Sequence, residues 1–146
     1  MSTLLFLAED DPLMSRMYER AFKSNGFDLK ITFDGEEAIN SLKTMSPKPV
    51  AILLDVMMPK KSGFDVLREV KGDEKLKNIP VVLLTNLAGE KDAEKGLELG
   101  AVLYLVKSQY SPKEIVVKIK EICSGYERKE GIPEVKVEVK KIETQN

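Results

Sequence analysis

A chain of 146 residues with 42% hydrophobic content has room for one packed domain and little for a second, and that content excludes global disorder. Its 23 basic and 24 acidic side chains cancel to a formal charge of -1, so no field of one sign draws it to nucleic acid or to an anionic membrane. The absence of histidine excludes Ser-His-Asp and Cys-His catalysis, histidine zinc sites and a phosphohistidine of its own, while the single Cys123 excludes an internal disulfide and suits a reducing cytoplasm.

In chain order, the first apolar run (residues 4–8) is too short for a signal peptide and ends in Glu9, Asp10 and Asp11. Pro12 then opens a helical spacing of Leu13, Met14, Met17, Tyr18, Ala21 and Phe22 that stops at Gly26. Residues 29–33 alternate apolar and polar, which predicts a less fully covered strand at a sheet edge. Ala38, Ile39 and Leu42 give the next helix. The run 50–54 ends in Asp55, and Phe64, Leu67 and Val70 follow at helical spacing. The run 81–84 ends in Thr85 and Asn86, with a helix through Ala93 and Leu97 to Gly100. The run 102–106 ends in Lys107. Ser111 and Pro112 then cap and open a last helix carrying Ile115, Val116, Ile119, Ile122 and Cys123. No run reaches membrane-spanning length.

The order is βα five times, and right-handed crossovers turn it into a parallel sheet with helices on both faces, an α/β fold over residues 1–124. Residues 125–146 are a charged tail. Within it Val135, Val137 and Val139 alternate with Lys136, Glu138 and Lys140, which reads as an added β-strand on this sheet or on a neighbour's.

Ligands of an open parallel sheet bind beyond the carboxyl ends of its strands. Glu9, Asp10, Asp11, Asp55, Thr85, Asn86 and Lys107 all fall there, although they are far apart in sequence. No glycine-rich phosphate loop accompanies them, which argues against nucleotide binding. Clustered carboxylates repel unless a cation is present, and oxygen-only ligands select a hard ion, with Mg²⁺ the natural choice. A carboxylate beside Mg²⁺ can attack a phosphoryl group to give an aspartyl phosphate, and a lysine and a hydroxyl can hold the phosphoryl oxygens.

These residues resemble the receiver domain of two-component response regulators. The resemblance rests on Glu9-Asp10-Asp11, on Asp55-Val-Met-Met-Pro59 with Gly63, on Thr85, and on Tyr104 with Lys107, and it spans residues 4–124. It implies a flavodoxin-like (βα)5 fold with strand order 2-1-3-4-5, here as a stand-alone single domain. It implies Asp55 as phosphoacceptor, and Asp10, Asp55, the backbone carbonyl of Met57 and, through water, Glu9 as Mg²⁺ ligands. Thr85 and Lys107 become the phosphoryl-sensing pair, and Thr85 with Tyr104 the switch. The implied partners are a histidine kinase or histidine phosphotransfer protein and a downstream effector protein. A direct role with nucleic acid or membrane is not expected, and a cytoplasmic monomer or weak homodimer is.

Two positions depart from the family pattern. Ser108 follows Lys107 where proline is usual, often through a cis bond, and Asn86 follows Thr85 where a small residue is usual. These departures leave a second reading, a degenerate receiver that binds partners constitutively. A third reading, a hydrolase of external phosphate esters, is disfavoured by the lack of an insertion to enclose a substrate. Taken singly, Asp11 is a helix cap, Tyr104 a half-buried aromatic, Lys60 and Lys61 a solvated loop, Met14, Met17 and Met45 core filling, and Cys123 an inert thiol on an apolar stripe.

Overall fold

The computed structural model describes residues 3–125. Strands and helices alternate as β1 (Thr3–Ala8), α1 (Pro12–Lys23), β2 (Phe27–Thr32), α2 (Gly35–Thr44), β3 (Ala51–Leu54), α3 (Gly63–Lys71), β4 (Val81–Thr85), α4 (Glu90–Glu98), β5 (Leu103–Val106) and α5 (Pro112–Lys120). A 3₁₀ turn, Lys107–Gln109, precedes α5, and a π-helical turn, Glu121–Gly125, follows it. Every strand pair is parallel and the sheet order is β2-β1-β3-β4-β5. This is the (βα)5, 2-1-3-4-5 arrangement that the resemblance implied.

The core has two layers, one on each face of the sheet. Phe6, Ile52, Leu54, Leu83 and Tyr104 face α2, α3 and α4, where they meet Ala38, Leu42, Phe64, Leu67 and Ala93. Leu5, Leu7, Leu53, Val82 and Leu105 face α1 and α5, where they meet Tyr18, Phe22, Ile115, Val116 and Ile119. β1, β3, β4 and β5 are therefore covered on both sides, which explains their near-continuous apolar runs. β2 pairs only with β1 and keeps Asp28 and Lys30 exposed, the edge position its alternation predicts.

The helix signals are realised at the expected residues. Asp11 caps α1, its Oδ1 accepting from the Leu13 amide at 2.9 Å. Ser111 and Glu114 form a capping box at the start of α5, with Pro112 in the first turn. Ser62 and Asp65 form another at α3, which the sequence reading did not single out.

Three regions differ from the sequence reading. β2 begins at Phe27, whose ring meets Phe22 edge-on at 5.5 Å, so the strand lies earlier than residues 29–33 and leaves Phe33 exposed. On α1, Ser15, Tyr18 and Phe22 take the buried face. The apolar stripe is wider than that face, so Leu13 is exposed, and Met17 is exposed rather than core filling; Met14 and Met45 do pack against the core. Cys123 lies in the π-helical turn after α5 and is exposed, although its neighbour Ile122 stays buried with Ile115 and Ile119. The expected strand through Val135, Val137 and Val139 lies outside the described residues. Among the described residues, no helix is long and apolar enough to cross a membrane.

Candidate functional site

β1 and β3 are neighbours and β5 lies two strands beyond β3 in one parallel sheet, so their carboxyl ends open on the same edge. β1 delivers Glu9 and Asp10, β3 delivers Asp55, and β5 delivers Lys107. The Asp55 amide donates to the Ala8 carbonyl at 3.0 Å, which fixes the two acidic strand ends beside each other. Residues 98 and 52 positions apart in sequence meet there. Lys107 Nζ lies 2.6 Å from Glu9 Oε1 and 3.1 Å from Asp55 Oδ2.

The side chains of Lys107, Glu9 and Asp55 are 8%, 1% and 8% exposed, so the triad is largely withdrawn from water. Each remaining oxygen has a backbone partner. Glu9 Oε2 accepts from the Asp11 amide at 3.1 Å, and Asp55 Oδ1 accepts from the Met57 amide at 3.2 Å. Burial pushes the Glu9 carboxyl above its ordinary value despite the opposing pull of Lys107. Burial pulls Lys107 down, but Glu9 and Asp55 together outweigh it and hold the ammonium above its ordinary value. The lysine is therefore a fixed positive charge at neutral pH.

Asp10 is exposed and completes an acidic cluster, in which Glu9, Asp10 and Asp55 bring carboxylate oxygens within 4.8 Å of one another. Three carboxylates and one ammonium leave a net charge of two minus, which matches a divalent cation. The donors are all hard oxygens, and no thiol or imidazole is near. On chemistry and spacing the cluster fits a Mg²⁺-type ion. Asp11 points to the α1 amides instead, in the capping role expected of it.

The loop after β3 is held close. The Gly63 amide donates to the Val56 carbonyl at 2.9 Å, and a Cβ on Gly63 would sit 2.3 Å from the Asp55 carbonyl oxygen. A Cβ on Gly35 would sit 2.0 Å from the Lys61 carbonyl oxygen, so the start of α2 presses on the same loop. Lys60 adopts a left-handed conformation there (φ 71°), and with its side chain 61% exposed and its ammonium 3.9 Å from Asp34 and Glu36, it and Lys61 are the solvated loop expected. The sequence signal for Gly63 is its place after Pro59. Gly35 was missed, because a glycine at a helix start signals nothing about a loop from elsewhere. Met57 is 60% exposed and faces solvent beside Asp55.

Thr85 ends β4 next to β5, in register with Val106. It is fully buried, and its Oγ1 accepts from the Leu87 amide at 3.2 Å, leaving the hydroxyl proton to donate. Asn86 is exposed. Tyr104 is wholly buried rather than half-buried. Its hydroxyl donates to the Leu87 carbonyl at 2.8 Å, and burial, with nearby Asp92 and Asp55, raises its pKa. Thr85 and Tyr104 thus grip the amide and the carbonyl of one residue, Leu87, a link that sequence alone did not reveal. The Lys107 to Ser108 peptide bond is trans and leads straight into the 3₁₀ turn.

Residues 5–120 match the response regulator receiver domain family. The chain is 36% identical over 122 residues to the phosphate regulon transcriptional regulatory protein PhoB of Escherichia coli K12, which covers 84% of this chain and 52% of PhoB. It spans about half the length of the curated relatives it matches. Among solved structures it resembles the phosphorylated cyanobacterial phytochrome response regulator RcpA, with a TM-score of 0.76 at 31% identity over 86% of this chain and 96% of that one. It also resembles the Mn²⁺-bound form of response regulator Rcp1, with a TM-score of 0.75 at 34% identity over 84% and 96%.

Proposed function

The chain belongs to the response regulator receiver family of two-component signalling proteins, and on that premise we propose that it takes a phosphoryl group onto Asp55. The observation that carries this reading is the Lys107 ammonium bridging Glu9 and Asp55 at the carboxyl edge of the sheet. The donor is a histidine kinase or histidine phosphotransfer protein, whose phosphohistidine lies outside these 146 residues, since they contain no histidine. One Asp55 carboxylate oxygen attacks phosphorus, the phosphorus–nitrogen bond of the donor breaks with its electron pair going to the ring nitrogen, and the donor ring, already protonated on its other nitrogen, leaves as neutral imidazole. Lys107 is within reach of a group on Asp55 and neutralises its oxygens, and Thr85 donates its hydroxyl proton to one of them.

Glu9, Asp10, Asp55 and the backbone carbonyl of Met57 would hold Mg²⁺, with Glu9 acting through water. When bound, the ion supplies charge neutralisation for the phosphoryl oxygens. Support comes from the all-oxygen donor set and from relatives described as phosphorylated and as Mn²⁺-bound. Catalysis extends only to the chain's own phosphorylation and dephosphorylation. Thr85 is drawn toward the phosphoryl group, and because Thr85 and Tyr104 both hold Leu87, the loop after β4 and the face around Tyr104 move with it. A downstream effector protein in the cytoplasm reads that face, and the receiver acts as a monomer or weak homodimer. The receiver unit is residues 1–124, and 125–146 takes no part in the phosphoryl chemistry.

Incubation with acetyl phosphate and Mg²⁺ tests this. Intact mass should rise by one phosphoryl group in the native chain and not in Asp55→Asn. A variant that gains the group at the native rate would move the acceptor to another residue.

A further inference from the structure

β2 is an open edge with an ordered charge pattern. Among the described residues no strand lies outside it, and it presents Asp28 and Lys30 on one face and Phe27, Leu29 and Ile31 on the other, toward the α1 and α5 layer. Parallel edge strands normally carry cover, because their unpaired amides and carbonyls recruit other chains. The described chain ends beside the start of this strand. Cys123 and Ser124 share with Phe27, Thr3 and Val50 the walls of a groove of about 420 Å³, and Lys120 Nζ bonds Asn25 Oδ1 at 3.1 Å just before β2.

We propose that residues 135–139 of this same chain add to the outer edge of β2 as a sixth, parallel strand. Four observations converge on this occupant and this direction. The first is hand. α1 carries the chain from β1 to β2 across one face of the sheet, and α5 lies on that same face. A strand after α5 that travels in the same direction, from β5 past β2, makes a right-handed crossover, whereas one placed outside β5 makes a left-handed one.

The second is charge. In parallel register Val135 lies beside Phe27, Lys136 beside Asp28, Val137 beside Leu29, Glu138 beside Lys30 and Val139 beside Ile31. Both charge pairs are opposite in sign, and a slip of two residues in either direction juxtaposes like charges at Asp28. The third is the apolar face. The three valines extend the row of Phe27, Leu29 and Ile31 on the α1 side, while β5, buried on both faces, offers no charges to match Lys136 and Glu138. The fourth is reach. Nine residues, 126–134, separate the end of the π-helical turn from Val135, and extended they span up to about 30 Å. They need only round the start of β2.

Hydrogen exchange on the full chain tests the proposal. The amides of Lys136 and Glu138 should exchange about tenfold or more slower than in the isolated 126–146 peptide, with those of Phe27, Leu29 and Ile31, which point away from β1, slowed alongside. Lys136→Glu should restore fast exchange in the tail, and adding Asp28→Lys should slow it again. Tail amides that exchange at the free-peptide rate in the native chain overturn the proposal. So does protection that Lys136→Glu leaves unchanged, since that means another register or another strand. Protection that vanishes on dilution, with a dimer by sizing at high concentration, also overturns it, because the edge is then filled by a neighbour's tail.

Discussion

Lys107 meets Glu9 at 2.6 Å and Lys43 meets Glu69 at 3.0 Å, yet the two pairs sit in different solvents. The first lies at the carboxyl edge of the sheet with both side chains under a tenth exposed, and the second joins α2 to α3 with both nearly half exposed. Water screens the outer pair and hydrates each partner if the other is lost. The inner pair has no such reserve, and a second carboxylate, Asp55, depends on the same ammonium. Contact distance therefore says little about what an ion pair does here, and burial says most of it. The buried charges are also the ones that the proposed phosphoryl chemistry uses, with the ammonium held between two carboxylates.

The sharpest way to break that contrast is Lys107→Ala. It leaves Glu9 and Asp55 buried side by side without a cation, and should cost about 3 kcal/mol in metal-free buffer by urea denaturation. Millimolar Mg²⁺ should recover part of the loss, because the acidic cluster then regains a positive partner. A variant as stable as the native chain without metal would mean that the site is wetter than its exposure indicates.

Tyr104→Phe probes a buried contact that carries no charge. It removes the hydroxyl bond to the Leu87 carbonyl at 2.8 Å without changing the ring, and should cost about 1 kcal/mol. That places it between the buried triad and the surface pair. It should leave the rate of phosphorylation at Asp55 near native while blunting whatever partner binding follows, and a full loss of phosphorylation would tie Tyr104 to the chemistry itself.

The strand runs and the acids at their ends were legible because a parallel sheet repeats one rule: apolar within the strand, function beyond its carboxyl end. Glu9, Asp10, Asp55, Thr85 and Lys107 follow from that rule. What was hidden depended on angles between elements. Gly35 bears on Lys61 only because α2 starts beneath the loop after β3. The shared hold of Thr85 and Tyr104 on Leu87 needs the path of a loop. Leu13 and Met17 kept helical spacing yet stayed exposed, because a helix shows the sheet a narrower face than its apolar stripe.

Asp65 offers a graded test at a helix end. It accepts from the Ser62 amide at 3.0 Å in the α3 capping box and pairs with Arg68, and these contacts, led by the Ser62 backbone bond, hold its carboxyl below the ordinary value. A depressed acid contributes stability above its unfolded pKa and loses it as pH falls through the folded one. Asp65→Asn should therefore cost roughly 0.5 kcal/mol at neutral pH, a small figure because the side chain is 45% exposed. The difference should shrink as the solution is acidified below the ordinary carboxylate range. A gap that stayed constant down to strong acid would assign the effect to side-chain shape instead of charge.

Lys43→Gln should have the smallest effect, although its contact is nearly as short as that of Lys107. The side chain keeps its stem and its helix-forming character, so only the charge is lost. Lys43 and Glu69 are 44% and 47% exposed, and at that exposure the attraction is offset by hydration and by the side-chain entropy of holding both groups in place. The expected change is within about 0.5 kcal/mol at low salt and close to nothing at high salt. Melting the native chain and Lys43→Gln at both salt concentrations measures this directly. A loss near that of Lys107→Ala, or one that salt leaves untouched, would show that α2 and α3 are locked together by this pair, and burial would then not be what separates the two regions.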